Sequence, residues 1–135
     1  MSQSAIALTG FAAWTLFLVL LIGLYRSYFV FTGKRASNQF DPTGADVGDF
    51  SRRLCRAHAN CYENLPIFGA LIGIALITGQ SASTDGLAMW FLLARISQSV
   101  VHLISTSNPA VMIRFGLYLV QWMIMATMAI RLLMA

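Results

Sequence analysis

Long apolar runs, separated by short polar segments, dominate this chain. The first run, from Ile6 to Phe31, is apolar apart from Arg26. As a helix it would extend about 39 Å. A bilayer core is about 30 Å thick and takes about 20 apolar residues to cross, so the run predicts a membrane-spanning helix at residues 6–31.

Three further spans are predicted, at residues 56–78, 87–104 and 110–133. Polar segments rich in glycine separate them, and the loop between the second and third spans is expected at residues 79–86. The short connections predict an antiparallel arrangement of neighbouring spans. We therefore expect an all-α membrane protein, a single bundle of four transmembrane helices that occupies residues 1–135.

The last span has a recognisable start, with Asn108 as the expected cap and Pro109 at the first helical position. The second span is less regular, because its apolar part is too short to cross a bilayer alone. Its helix must extend back through about Arg56, which brings Asn60 and Glu63 to the membrane boundary. Polar groups there are costly unless they are paired or face the bundle interior.

The composition changes the picture in two ways. With 58% hydrophobic and 10% charged residues among 135, the chain is far from a soluble domain, about a quarter of which is charged. Any chemistry must therefore reside in the bundle. The net charge of +4 includes no basic run, so no nucleic-acid partner is expected. Cys55 and Cys61 lie on different faces of one helix and are predicted to be free thiols, with no metal site.

The distribution of cations predicts the topology. The first loop and the start of the second span are basic, whereas the loop at 79–86 has no cation. The positive-inside rule then puts the first loop in the cytoplasm and both termini on the opposite side. The first apolar run is too long for a cleaved signal peptide and is expected to remain as a span.

Polar residues also form three stripes at helical spacing, each on one face of a span. All three lie wholly or partly in the half of the bundle next to the first loop, and Arg35 lies above them. The stripes are Arg56, Asn60 and Glu63 on the second span; Arg95, Ser99 and His102, with Gln98 beside them, on the third; and Arg114, Tyr118 and Gln121 on the fourth.

Several of these residues have a structural interpretation beside the functional one. Glu63 and Arg95 could form an ion pair that joins the second and third spans, and His102 could make a hydrogen bond between helices. Lys34 and Arg53 could anchor the chain at the membrane interface. Arg114 is the hardest to explain structurally, because no acidic residue lies near it in sequence.

The segment from Arg53 to Pro66 resembles the signature of the MAPEG family, the membrane-associated proteins in eicosanoid and glutathione metabolism. The pattern R-A-x-x-N-x-x-E-x-x-P is intact, and its fixed positions are Arg56, Ala57, Asn60, Glu63 and Pro66. The length, the four spans, the cationic first loop and the arginines in the third and fourth spans fit the same family.

The resemblance implies a homotrimer that binds glutathione between subunits, and a site in which each residue has a role. Arg56, Asn60 and Glu63 would hold the glutathione backbone, and Arg35 or Lys34 would reach its carboxylates. Arg114 would stabilise the thiolate, with Tyr118 further along the helix. Gln98 and His102 take positions that are His or Tyr in other members, which leaves the ligand contacts of the third span open.

The function implied is a glutathione-dependent transferase or peroxidase that acts on lipophilic electrophiles reaching the site through the lipid. The membrane would be the inner membrane in a bacterium and the endoplasmic reticulum in a eukaryote. Two alternatives remain open: a non-enzymatic lipid-binding or scaffolding member of the family, and a small accessory subunit whose polar stripes only join helices.

Overall fold

A computed structural model describes all 135 residues and contains four α-helices and no strand. The helices are α1 (Gln3–Phe31), α2 (Asp49–Ile77), α3 (Ala82–Ile104) and α4 (Asn108–Met134). Each is long and apolar enough to cross a membrane. The prediction of an all-α bundle of four membrane-spanning helices is confirmed.

Glycines terminate α1 and α2 in the same way. Gly33 and Gly79 have φ values of 72° and 70°, a conformation that costs glycine little. At the end of α2, the N–H of Gly79 donates to Leu76 and that of Gln80 donates to Ala75, and α1 closes with the corresponding pair of bonds. This is the Schellman motif, which satisfies the last carbonyls of a helix and lets the chain turn away.

Three predicted boundaries were wrong. Helix α2 begins at Asp49, well before the predicted start near Arg56. The loop expected at 79–86 is shorter, because α3 already begins at Ala82. Its first turn is held from a distance: Ser4 of α1 donates from its N–H and its hydroxyl to the Asp85 carboxylate, at 2.8 and 2.6 Å. At α4 the cap is Ser107, whose hydroxyl accepts from the N–H of Ala110. Proline then lies second in the helix, which is tolerated because first-turn N–H groups have no intrahelical partner.

Helices α2 and α3 form the centre of the bundle, since each contacts the other three helices, whereas α1 and α4 do not touch. The core is built on three buried aromatic rings. Phe68 and Phe91 stack with centroids 4.0 Å apart, and the ring of Phe11 packs against both at 5.9 and 5.6 Å. Large apolar side chains cover much of the outer surface, as expected for helices surrounded by lipid.

The loop between α1 and α2 folds back onto the start of α2. Gly44 is buried and has a φ of +73°, and a Cβ there would lie 2.7 Å from the Ser51 carbonyl and 2.9 Å from Cys55 Sγ. Glycine is therefore required by both the conformation and the close approach. This contact brings the neighbouring Thr43 over the polar end of the bundle.

Candidate functional site

A polar cavity of about 390 Å³ opens at the end of the bundle next to the α1–α2 loop. No hydrophobic or acidic residue lines it. Its seven residues come from the loop, the start of α2, the end of α3, the α3–α4 connection and the first turns of α4: Thr43, Arg52, Arg53, Arg56, His102, Thr106 and Arg114. Four arginines thus surround one space, which favours an anionic ligand.

The positive charge of this outer cavity is only partly neutralised by the protein. Arg52 pairs with Asp49 at 3.3 Å, and both side chains are exposed. Arg53 donates from Nε to the backbone carbonyl of Leu103 at 2.9 Å, which ties α2 to the end of α3. Arg56 and Arg114 take part in neither of the two ion pairs of the chain.

A second, inner cavity of about 250 Å³ lies between α2, α3 and α4. It is lined by the deeper members of the polar stripes and three residues beside them: Asn60, Glu63, Asn64, Arg95, Gln98, Val111, Arg114, Phe115 and Tyr118. Arg114 lines both cavities. Its guanidinium therefore lies where the cationic outer space meets the mixed inner one.

The backbone of Arg114 is fixed while its guanidinium has no partner. Gln98 donates from Nε2 to the Arg114 carbonyl at 3.1 Å, and Gln121 donates to Gln98 Oε1 at 3.0 Å. The Nε of Arg114 is buried and has no hydrogen-bond partner in the protein. Buried polar groups are nearly always paired, so an unpaired arginine in a cavity indicates a place for a ligand.

The model of the MAPEG family matches residues 4–134. The chain belongs to the MAPEG family. No curated protein and no solved structure matches it. Membership makes it an integral membrane protein of a group concerned with glutathione or eicosanoid metabolism.

Seven of the eight residues predicted for the MAPEG site line these two cavities. Arg56 and His102 lie in the outer one, Arg114 in both, and the other four in the inner one: Asn60, Glu63, Gln98 and Tyr118. These residues come from three helices. Helical spacing groups residues on one helix only, so it did not require the three groups to meet at adjoining cavities.

Arg35 is the exception, because it lines neither cavity. Its guanidinium pairs with Asp46 at 2.9 Å and donates to the Gln39 carbonyl at 3.0 Å, both within the same loop. Within a single copy of the chain Arg35 is therefore engaged by its own loop, and its predicted contact with a ligand stays a prediction. The nearby carboxylate of Asp46 offers a partner at little cost in chain entropy, and the spacing of the stripes gave no hint of it.

Of the two proposed structural roles, the structure supports the hydrogen bond of His102 but not the ion pair between Glu63 and Arg95. Asn60 Nδ2 and His102 Nδ1 lie 3.3 Å apart, which supports His102 as a contact between α2 and α3. Arg95 does not pair with Glu63. It is 1% exposed, donates to the Asn60 carbonyl at 3.1 Å and lies over the rings of Phe11 and Phe91. A carbonyl and two ring faces thus replace the expected carboxylate, and the side chain of Glu63 is free.

Sequence reasoning missed several lining residues, three polar ones among them, and was right about the cysteines. Thr43 reaches the outer cavity only because the loop folds at Gly44, and Thr106 only because α3 ends beside it; neither has a sequence signal. Asn64 directly follows Glu63 of the family motif, and this position next to a predicted site residue could have indicated that it lines the inner cavity. Cys55 and Cys61 are both buried and free, as predicted.

The residues fit glutathione by charge and by size. The tripeptide carries two carboxylates, an ammonium group and a thiol. The outer cavity offers arginines without a competing acid, and the inner one offers the free carboxylate of Glu63. The outer cavity, of about 390 Å³, falls within the range of about 300–1,000 Å³ typical of small-molecule sites.

Proposed function

We propose that this protein is a glutathione-dependent membrane transferase or peroxidase that acts on lipophilic electrophiles. The observation that carries the proposal is Arg114, a half-buried residue whose guanidinium has no partner and whose Nε is fully buried. It lies on the boundary between a cationic cavity and an inner cavity lined by a carboxylate and a phenol. In this proposal Arg114 stabilises the thiolate and Tyr118 assists it.

Glutathione would supply the thiol that attacks the electrophile or reduces a peroxide. The arginines of the outer cavity, Arg56 among them, bind carboxylates, and Glu63 accepts hydrogen bonds from an ammonium group. Asn60, Gln98 and His102 shape the wall between these positions. Each of these groups is held by a helix, so orientation costs little when the ligand binds.

The task of Arg114 can be expressed as a free energy. A thiol pKa near 8.5 must fall by roughly 1.5 to 2 units for the thiol to be mostly ionised at neutral pH, which corresponds to about 2–3 kcal/mol. One arginine in a poorly hydrated site is able to provide this much. The phenol of Tyr118 lies one helical turn further along and can donate a hydrogen bond to a developing anion.

The lipophilic substrate has a suitable surface close by. An apolar groove of about 320 Å³ lies between α2 and α4 and is lined only by hydrophobic residues: Ile67, Leu71, Trp122, Met125, Ala126 and Ala129. Ile67 and Trp122 follow Glu63 and Tyr118 by four residues, so the groove continues the inner cavity one turn deeper on the same helix faces. An apolar molecule could thus approach the thiol from the lipid side.

We further propose a homotrimer with the first loop in the cytoplasm, in the inner membrane of a bacterium or the endoplasmic reticulum of a eukaryote. The exposure of Glu63 and Tyr118 in a single copy supports a site that a neighbouring subunit completes. The basic first loop, opposite a loop between α2 and α3 without cations, supports the orientation.

The deciding experiment is a glutathione titration of the purified protein in detergent, followed by thiolate absorbance in the ultraviolet. The native protein should form thiolate at neutral pH, and Arg114→Ala should bind glutathione without forming it. Arg131→Ala is the matched control, because Arg131 lies exposed in the last turn of the same helix. Thiolate formation by Arg114→Ala at the native level would refute the assigned role.

One observation favours a second candidate, a non-enzymatic lipid-binding protein. The α2–α4 groove has no polar lining residue and could hold an acyl chain without any reaction. This alternative expects lipid to bind while glutathione gives no thiolate and no conjugate with any model electrophile. The same titration therefore separates the two candidates.

A further inference from the structure

A second arginine-centred region lies on a different face of α2 from the polar cavities. Arg26, near the end of α1, lines two cavities of its own. The upper one, of about 430 Å³, is formed by α1 and the first loop, and the lower one, of about 240 Å³, lies between α1 and α2 beneath Pro42. Neither shares a residue with the proposed glutathione site.

The guanidinium of Arg26 is held in place but not neutralised. One terminal nitrogen donates to the Asp41 carbonyl at 3.1 Å, and the group lies 5.5 Å from the ring centre of Phe40. Its Nε is buried without a hydrogen-bond partner, and no acidic residue lines either cavity. The charge is therefore available to an anion that enters beside it.

The nearest acid in sequence is engaged elsewhere. The Asp41 carboxylate accepts from the N–H and the hydroxyl of Thr43, at 2.7 and 2.6 Å. These bonds lower the pKa of Asp41, and the charge of Arg26 contributes least to that shift. Asp41 forms no ion pair with Arg26, so it does not take the place of a ligand.

The two cavities differ in polarity along the membrane normal. The upper one offers hydroxyl and amide groups from Ser27, Ser37 and Asn38. The lower one extends along Val19 and Ile22, and Val19 lies about 10 Å deeper than Arg26 along α1. Polar donors thus stand above a mostly apolar channel, which is the distribution of polarity in a phospholipid.

The depth of Arg26 fits the headgroup level. Helix α1 has 29 residues and is about 44 Å long, against a hydrocarbon core of about 30 Å. If α1 extends beyond the hydrocarbon core by the same length at both ends, the boundary of the core falls close to Arg26. A cation at this level contacts lipid phosphates, and basic pockets between helices are known to bind anionic headgroups.

We propose that the Arg26 cavities bind one anionic phospholipid. Its phosphodiester accepts from Arg26, its headgroup occupies the upper cavity, and one acyl chain follows Val19 and Ile22 in the lower cavity. The apolar channel distinguishes this ligand from free phosphate. The site is independent of glutathione and would exist whether or not the protein is an enzyme.

The test is native mass spectrometry of delipidated protein titrated with phosphatidylglycerol, phosphatidylcholine or inorganic phosphate. Phosphatidylglycerol should remain bound and should raise the thermal midpoint above that reached with phosphatidylcholine, while inorganic phosphate has no effect. Arg26→Gln should weaken phosphatidylglycerol binding by about tenfold or more, the loss expected for a hydrogen bond to a charged group. Arg131→Gln, at the exposed end of α4, should bind as the native protein does.

A second variant guards against a folding defect, since Arg26 also holds the loop through Asp41. Ile22→Trp fills the lower cavity and leaves the guanidinium intact, and it should reduce phosphatidylglycerol binding to a similar degree. Three results would overturn the proposal: equal binding of the two lipids, undiminished binding by both variants, or an equal effect of inorganic phosphate.

Discussion

Arg95 and Arg114 are both arginines on membrane-spanning helices of this MAPEG protein, yet their surroundings differ. Arg95 is almost completely buried, bonds to the Asn60 carbonyl and lies on two aromatic rings. Arg114 is half-buried, lines both polar cavities and has no side-chain partner. The Arg95 guanidinium has one hydrogen bond and two ring faces as partners, although its Nε is unpaired, whereas the Arg114 guanidinium has no hydrogen-bond partner at all and is open to the ligand proposed above.

The comparison gives each arginine a different expected defect. Removal of Arg95 should affect the bundle, because its side chain fills space between α1, α2 and α3. Removal of Arg114 should affect the reaction, because nothing in the protein depends on its guanidinium. If the Arg114 variant lost stability, or the Arg95 variant lost only turnover, the two arginines would not have these different roles. Substitutions of the residues that hold Arg114 in place test its role more finely.

The largest expected effect is on turnover in Arg114→Ala. Loss of one preorganised donor to a developing anion lowers kcat by roughly 10²–10³-fold, while the thermal midpoint stays close to native. The rate of glutathione conjugation to a model electrophile measures the change in kcat, with Arg131→Ala as control. An Arg114→Ala protein that turns over at the native rate would assign the reaction to other residues.

The next effect is on stability in Arg95→Ala. Truncation of a large buried side chain leaves a cavity, and the free energy of unfolding should fall by about 3 kcal/mol. Turnover per folded molecule should change much less than in Arg114→Ala. Thermal unfolding in detergent measures the first quantity, and Arg95→Met, which retains most of the volume, should recover much of the loss. A native midpoint in Arg95→Ala would contradict the structural role.

A smaller effect is expected in Gly44→Ala. The new Cβ would meet the Ser51 carbonyl and Cys55 Sγ at a φ of +73°, so the loop should detach at a cost of about 1–3 kcal/mol. Glutathione affinity should fall with it, because Thr43 leaves the outer cavity. Gly23→Ala is the matched control: that position has open space and lies within α1, so affinity should not change. Equal glutathione affinity in the Gly44→Ala and Gly23→Ala variants would show that the α1–α2 loop does not contribute to glutathione binding.

The smallest effect is expected in Gln98→Leu, which removes the bond that fixes the Arg114 backbone. One hydrogen bond contributes about 0.5–1.5 kcal/mol net, so kcat should fall by about threefold to tenfold through misplacement of Arg114. Gln121→Leu, which removes the donor to Gln98, should have a similar or weaker effect. If both variants leave kcat and the thiolate titration unchanged, Arg114 does not need this support.

Sequence patterning was sufficient for the number of helices and for most of the predicted residues that line the two polar cavities. Hydrophobic length predicted four spans, helical spacing identified the stripes, and the intact motif around Asn60 and Glu63 led to the family. The errors arose at helix starts, one of which also has a distant partner. The start of α3 depends on Ser4, which is remote in sequence from Asp85, and no local signal reports such a contact.

By itself, then, the sequence determined which segments cross the membrane and which faces are polar, because both follow from hydropathy and helical periodicity along one segment. The tertiary structure decided which polar residue has which partner. It paired Arg35 with Asp46, placed Arg95 on two rings and left Arg114 without a partner. These outcomes depend on distances between different helices and loops, which periodicity within a single segment does not encode.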